Sequence, residues 1–268
     1  PGDFAYEFAH ALFRTAALDR LTEPVRHSCL EALAEWIWGI QDENGLSLPD
    51  DLDLVARFVD AVTEAGLAVR DATWRSRLVF LQAGRAEGGE GVVPVAERQA
   101  WAEEAYRLAR ELPKPLRGED LERWDNALRI HATLLSEAGD LEEARACAEE
   151  RLTGVQEALA LDHSFENLAR YWEASVGLAT QLDELCEEDE AKEFLEAVVE
   201  GARTELEEAE VDEDVALAFE ELLCMHLGLA FDPEERTVLR EEILELLGSL
   251  KEAFPDSDGP PRRHVFLL

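Results

Sequence analysis

The sequence predicts an all-α protein built from successive helical hairpins, and three observations lead to this prediction. Ala, Leu and Glu dominate the 268 residues and β-branched residues are sparse, a composition that favours helix. Apolar residues recur at helical spacing along most of the chain. The second helix of each predicted pair begins at intervals of 45 to 48 residues, near Pro49, Pro94, Asp140, Glu188 and Pro233. Five helix pairs at one period predict a solenoid.

Helix boundaries follow from the residues at the ends of each apolar pattern. Pro49 and Pro94 suit the first turn of a helix, where a backbone N–H has no intrahelical partner. The glycine-rich segment 84–91 is predicted to break the fourth helix at Gly84, and it lacks the strand and Lys-Ser/Thr pair of a phosphate loop. In chain order the predicted helices cover 3–18, 23–44, 49–66, 71–83, 94–112, 118–138, 140–161, 164–186, 188–209, 212–231 and 233–254.

The turn of the clearest hairpin is predicted at Ala138 to Ala144. Gly139 can adopt the left-handed conformation that closes a helix. Asp140 can cap the next helix through its carboxylate. The small Ala144 lets the second helix pack closely. Leucines at helical spacing on both sides complete the pattern of two antiparallel helices.

Over 126–152 the chain resembles a tetratricopeptide repeat (TPR), a family with a Gly-Asp-like turn and a small residue early in the second helix. His131, Ala132 and Arg151 depart from the residues that the family prefers. The resemblance implies a right-handed superhelix of hairpins. The period of about 45 exceeds the 34 residues of the standard repeat and lies near that of HEAT-type repeats, so lengthened hairpins are predicted. The alternative is an irregular helical domain whose helices have similar lengths.

The chain divides by composition into a long helical part and a short C-terminal part. We predict one α-helical repeat domain over 1–254, followed by a Pro-rich spacer and a basic and apolar tail over 255–268. The tail carries Arg262 and Arg263 before four apolar residues. We expect it to cover the end of the solenoid or to bind a partner.

The net charge of −36 restricts the classes of partner. Nonspecific nucleic-acid binding and anionic membrane surfaces are excluded, since both need Lys and Arg. Residues 1–134 carry a net charge of −9 and residues 135–268 carry −27.

No apolar run approaches the roughly 18 residues of a membrane span. The cysteines, Cys29, Cys147, Cys186 and Cys224, follow no disulfide or metal spacing, so we expect core residues in a reducing cytoplasm.

Catalytic and cofactor motifs are absent from the sequence. His27 with Cys29, and Cys224 with His226, are two residues apart, which on a helix separates the side chains by about 200°. Neither pair can hold one metal ion. No serine lies in a Gly-x-Ser-x-Gly elbow. The sequence therefore predicts a protein that is not an enzyme and binds no cofactor or metal.

The TPR resemblance implies that the first helix of each pair lines a concave groove. Matched from Gly139, and from Ala191 for the next repeat, the groove positions are Asn126, Arg129, Thr133, Ser136, Glu137, Glu173, Val176, Thr180, Asp183 and Glu184. The Lys and Asn pattern with which some members bind acidic peptide ends is not reproduced, because Arg129 is the only cation. A basic or apolar ligand is expected. Trp124 and Trp172 are expected to pack between repeats.

An acidic run over 183–214 holds 16 acidic residues against Lys192 and Arg203. Apolar residues persist inside it, so it is predicted to be helix with an acidic face. That face is either solvated surface or a docking site for a basic protein, at Glu187, Glu188, Glu193 and Glu196. The expected function is a noncatalytic protein–protein interaction scaffold. The alternative is an acidic inhibitor that mimics nucleic acid and occupies the basic cleft of a DNA- or RNA-binding protein.

Overall fold

A computed structural model describes residues 72–88, 93–208, 213–230 and 232–253, together with positions 22, 25, 28, 29, 32 and 62. Positions 25, 28, 29, 32 and 62 are helical, within two of the predicted N-terminal helices. The predicted opening helix, most of the next two, the predicted helix start at Asp71 and the 255–268 tail lie outside the described residues.

Eight α-helices have described bounds, and the described residues contain no strand. The second helices of successive pairs begin at Val95, Leu141, Glu188 and Pro233, within one residue of the predicted starts. The helices are α1 Ala72–Gly88, α2 Val95–Arg110, α3 Gly118–Ala138, α4 Leu141–Leu161, α5 Phe165–Glu184, α6 Glu188–Glu208, α7 Glu213–Leu229 and α8 Pro233–Ala253.

The predicted break at Gly84 is wrong, because α1 continues through Gly84 to Gly88. Glycine costs a helix interior about 1 kcal/mol relative to alanine. Its neighbours Ala83 and Ala86 are fully buried, and α1 packs against α2. Tertiary packing therefore outweighs the local preference of glycine at this position.

The first of two compact units covers Pro1–Leu134. Its described helices bury an apolar core that includes Leu78, Leu81 and Trp124, which is 1% exposed. Polar contacts fix the helices around this core. The Arg98 guanidinium donates to the Ala86 carbonyl at 2.7 Å, and the Tyr106 and His131 rings stack at 4.7 Å.

The second unit covers Leu135–Leu268 and is centred on α5. Helix α5 packs against α4, α6 and α7, and α7 packs against α8. Trp172 on α5 is 1% exposed, and its ring centre lies 5.8 Å from that of Phe219 on α7. Both tryptophans are buried, and the expected packing between repeats is confirmed for Trp172. In this unit the contact joins the first helices of two successive pairs.

The predicted turn at 138–144 has the expected backbone. Gly139 has φ of +88° and donates to the Ser136 carbonyl, and Asp140 donates to the Leu135 carbonyl, both at 2.9 Å. This pair of bonds is the Schellman motif. Ala144 is fully buried, as predicted. The predicted Asp140 cap is only half right, since Asp140 occupies the capping position but its carboxylate accepts no capping bond.

The expectation that all four cysteines are core residues is wrong for Cys186. Cys147 and Cys224 are buried, whereas Cys186 is exposed. Cys186 closes α5 with φ of +63°, a left-handed conformation that is rare for a residue with a Cβ. The end of the helix, rather than the apolar face, therefore decides its environment.

Candidate functional site

The predicted groove positions in the first unit lie on α3. Asn126 is half-buried, and Arg129 and Thr133 are exposed. The Arg129 guanidinium donates to Glu87 at 2.8 Å and to the Asn126 side chain at 2.7 Å. The only cation among the predicted groove residues is therefore neutralised by a carboxylate of the same unit.

In the second unit the structure brings two of the predicted positions together. The Ser136 hydroxyl at the end of α3 donates to the Glu184 carboxylate at the end of α5. Thr180 instead donates to the Val176 carbonyl of its own helix at 2.9 Å. The other predicted positions here, Glu137, Glu173 and Asp183, are exposed, and Glu173 lies 3.9 Å from Arg151.

Three cations bridge the second helices of successive pairs. Arg145 on α4 bonds Glu187, and it also contacts Glu190 on α6 at 3.2 Å. Lys192 on α6 bonds Glu235 on α8 at 2.7 Å. A third bridge joins Arg203 on α6 to Glu242 on α8 at 2.6 Å. These contacts are 39 to 45 residues apart in sequence, about one repeat.

The bridges hold their cations in the charged form. The hydrogen bond to Glu235 raises the pKa of Lys192 above its ordinary value. The bond to Glu242 does the same for the pKa of Arg203. Cations engaged in this way are not available to neutralise the remaining carboxylates of the unit.

Four predicted acidic residues flank the turn between α5 and α6 in sequence, and we call them the acidic corner: Asp183, Glu184, Glu188 and Glu193. All four are exposed. Glu184 accepts the Ser136 bond, whereas Glu188 and Glu193 form no ion pair with the part of the chain that the structure describes. The other two predicted residues of this region are engaged, Glu187 by Arg145 and Glu196 at 3.8 Å from Lys192.

A cluster that the sequence did not reveal lies among α6, α7 and α8. His226 is 6% exposed, and its Nε2 lies 3.4 Å from Glu235 Oε1. Glu196 completes the group, in which one ligand atom from each residue lies within 4.8 Å of the others. Burial lowers the pKa of His226, although Glu235 and Glu196 oppose that shift. The sequence signal that points to this cluster is the presence of opposite charges about one repeat apart, such as Lys192 and Glu235.

Cys224 lies two residues before His226 on α7, and its thiol is held in the protonated form. Burial, with help from Glu220, raises the pKa of Cys224 to about 12. Its Sγ lies 3.9 Å from the Glu220 carboxylate. Because the thiolate is the reactive form, Cys224 behaves as a small core residue.

Comparisons with known proteins identify the fold. No protein-family model and no curated protein matches the chain. The chain is similar in structure to a variant of a protein from Podosopora anserina, assigned as a kinesin light chain with nearly identical TPR-like repeats. The TM-score is 0.55 at 17% identity, over 87% of this chain and 99% of the other. The predicted fold class, an all-α solenoid of TPR-like hairpins, is confirmed.

This likeness bears on function only at the level of the fold. Helical repeats of this type present extended surfaces that generally serve as protein–protein interaction scaffolds. Among the described residues, no helix is both long and apolar enough to cross a membrane.

Proposed function

We propose that this chain is a noncatalytic scaffold that binds a basic segment of a protein partner at the acidic corner. The observation that supports this most directly is the distribution of cations in the second unit. Arg145, Lys192 and Arg203 are tied to carboxylates in the bridges, so they do not pair with the exposed Glu188 and Glu193. A surface of fixed helices with uncompensated carboxylates suits Lys and Arg side chains.

Binding would proceed in two stages. The −27 charge of residues 135–268 attracts a basic partner over distances near the Debye length, about 10 Å at 0.1 M salt. This attraction mainly raises the association rate. The acidic corner then holds the segment, and the exposed Glu173 and the half-buried Thr180 on α5 extend the contact along the groove face of that helix.

The predicted positions on α3 form a separate part of the proposal. Arg129 is neutralised by Glu87, so the α3 surface has no free guanidinium for an acidic peptide. Asn126, Thr133 and Glu137 offer hydrogen-bond acceptors, which also suit a basic or polar segment.

Nucleic-acid mimicry is the less favoured alternative. A mimic needs unpaired carboxylates at phosphate-like spacing along one ridge. Glu187, which precedes α6, and Glu235 and Glu242 on α8 are instead bonded to cations of the same unit. Their charge is used to join the helices, which favours the scaffold.

The test is binding of a synthetic Lys- and Arg-rich peptide, followed by fluorescence anisotropy at increasing salt. We expect Glu188→Lys with Glu193→Lys to weaken binding roughly tenfold and to reduce the salt dependence. The matched control is Glu142→Lys with Glu143→Lys, the same charge change at exposed residues that start α4. Equal weakening by both double variants would show that net charge alone, and not the acidic corner, attracts the peptide. Glu196 is left unchanged because it belongs to the His226 cluster.

A further inference from the structure

The cluster of His226, Glu196 and Glu235 has the composition of a metal site. Its members come from α7, α6 and α8, three helices of the same compact unit. One nitrogen and two carboxylate oxygens lie within 4.8 Å of one another. Metal ligands around one ion are about 3 Å apart, so small side-chain rotations would bring these atoms into range. Glu196 is exposed, so its side chain has room to rotate toward the other two.

The state of His226 is an independent indication of a ligand. The ring is more than nine-tenths buried, and neither nitrogen has a hydrogen-bond partner among the residues that the structure describes. A buried polar group without a partner costs roughly 1–3 kcal/mol, and such groups call for an unseen water or ion. Nε2 of this ring lies 3.4 Å from Glu235 Oε1, so the unsatisfied nitrogen faces the carboxylates.

We propose that His226, Glu196 and Glu235 bind one divalent transition-metal ion, with Zn²⁺ as the best fit, and that this ion joins α6, α7 and α8. One imidazole with two carboxylates suits Zn²⁺ and its neighbours, whereas Ca²⁺ and Mg²⁺ prefer all-oxygen sites. Three protein ligands leave a fourth position for water or for a group from a partner.

Lys192 shapes this site from its edge. Its ammonium bonds Oε2 of Glu235 at 2.7 Å, while Oε1 of the same carboxylate faces His226. A hydrogen bond to one oxygen of a carboxylate fixes its orientation, so that the second oxygen can bind a metal ion. Residues that hydrogen-bond metal ligands commonly have this effect. The same ammonium repels a dication. Lys192 therefore orients Glu235 and limits the affinity at once.

The rival interpretation is that Lys192 alone balances the two carboxylates. It lies 3.8 Å from Glu196 as well as bonding Glu235. This interpretation leaves both nitrogens of His226 without a hydrogen-bond partner, whereas a bound ion would satisfy one of them. The two interpretations predict opposite results in a metal titration.

The test is calorimetric titration of the chelator-treated full chain with ZnCl₂, in excess Mg²⁺ that occupies scattered surface carboxylates. We expect one Zn²⁺ per chain and a rise in melting temperature. Glu196→Gln and His226→Gln should each weaken binding at least about tenfold. Because Glu196 is exposed, its variant tests the site without the risk of unfolding. Lys192→Met should tighten binding, because the loss of charge repulsion outweighs the loss of one bond to Glu235.

The matched control is His163, an exposed histidine whose Nε2 lies 3.6 Å from one carboxylate, that of Glu205. His163→Gln should leave zinc binding unchanged. Imidazole nitrogen NMR provides a direct readout, in which the His226 signal shifts on zinc addition and the His163 signal does not. The proposal is overturned if the His226 signal stays in place, or if Glu196→Gln and His226→Gln bind zinc as the wild type does. That result would mean adventitious binding to surface acids only.

Discussion

The two turns that close α3 and α5 have the same backbone hydrogen bonds but different residues at the key position. In the first, Gly139 and Asp140 donate to the carbonyls of Ser136 and Leu135. In the second, Cys186 donates to Asp183 at 2.8 Å and Glu187 donates to Leu182 at 2.9 Å. The offset is 47 residues throughout, the same shift that matched Ala191 to Ala144 in the sequence.

The difference shows how packing can impose a turn that local preference disfavours. Glycine takes a left-handed conformation without strain, whereas a residue with a Cβ pays roughly 1–2 kcal/mol there. Cys186 has φ of +63° all the same. The helices on both sides of it carry fully or almost fully buried residues, Leu182 at 2% and Ala191 at 0% exposure. Burial of these residues offsets the strain at the turn.

The largest difference between the turns is expected in thiol reactivity, because only the second turn carries a cysteine. Cys186 is exposed and should react with iodoacetamide at pH 8. With a pKa of about 12, only on the order of one Cys224 thiol in 10⁴ is ionised at that pH. Peptide mass spectrometry over time measures both rates. Labelling of Cys224 at the rate of Cys186 would contradict the buried position of Cys224.

A charge placed just after either turn should destabilise the fold to a similar extent. Ala144 and Ala191 are both fully buried. We expect Ala144→Glu and Ala191→Glu each to cost roughly 2–5 kcal/mol, because an unpaired carboxylate would be buried. Denaturant unfolding followed by circular dichroism measures the loss. Ala146→Glu and Ala197→Glu, at exposed positions of the same helices, are the controls and should cost little. A wild-type midpoint for Ala191→Glu would show that the two turns are not equivalent.

Gly139→Ala isolates the conformational cost of the first turn. A Cβ at this position would meet nothing within 4 Å, so a steric clash does not contribute. The strain of φ at +88° remains, and we expect a loss of about 1 kcal/mol. Gly201→Ala, where a Cβ also meets nothing and the residue lies inside α6, should instead stabilise the helix. Equal effects of the two substitutions would argue against the left-handed turn.

Cys186→Gly is the reciprocal change in the second turn and should have the smallest effect. Relief of the left-handed strain outweighs the added freedom of glycine in the unfolded chain, so we expect a gain of about 0.5 kcal/mol. Cys186→Ala, which keeps a Cβ, is the control and should give no gain. Unfolding midpoints of the two variants give the comparison, and a loss of stability in Cys186→Gly would show that the thiol contributes more than its strain costs.

Most of the fold could be predicted because its signals are local. Apolar spacing located the helices, and Pro233 and Gly139 marked a start and an end within one residue. The errors occurred where tertiary packing outweighed local preference. Gly84 lies inside a helix because its neighbours are buried. Cys186 is exposed because it follows the end of a helix.

The candidate site was less predictable. The repeat register predicts the groove residues, but the structure ties Arg129 to Glu87 and Ser136 to Glu184. Such pairings depend on which side chains face each other across neighbouring hairpins. Apolar periodicity within one helix contains no information about these pairings. Some of the pairs do, however, join residues that are about one repeat length apart in sequence.

The sequence alone determined the helices, the repeat period and the concentration of negative charge in residues 135–268, since each depends on composition or on residues a few positions apart. Only the tertiary structure decided which carboxylates keep their charge uncompensated and which join helices through Arg145, Lys192 and Arg203. It also brought His226 to Glu196 and Glu235. Charges on different helices interact through space over a few ångströms, so their partners are fixed by how the hairpins stack and not by their order along the chain.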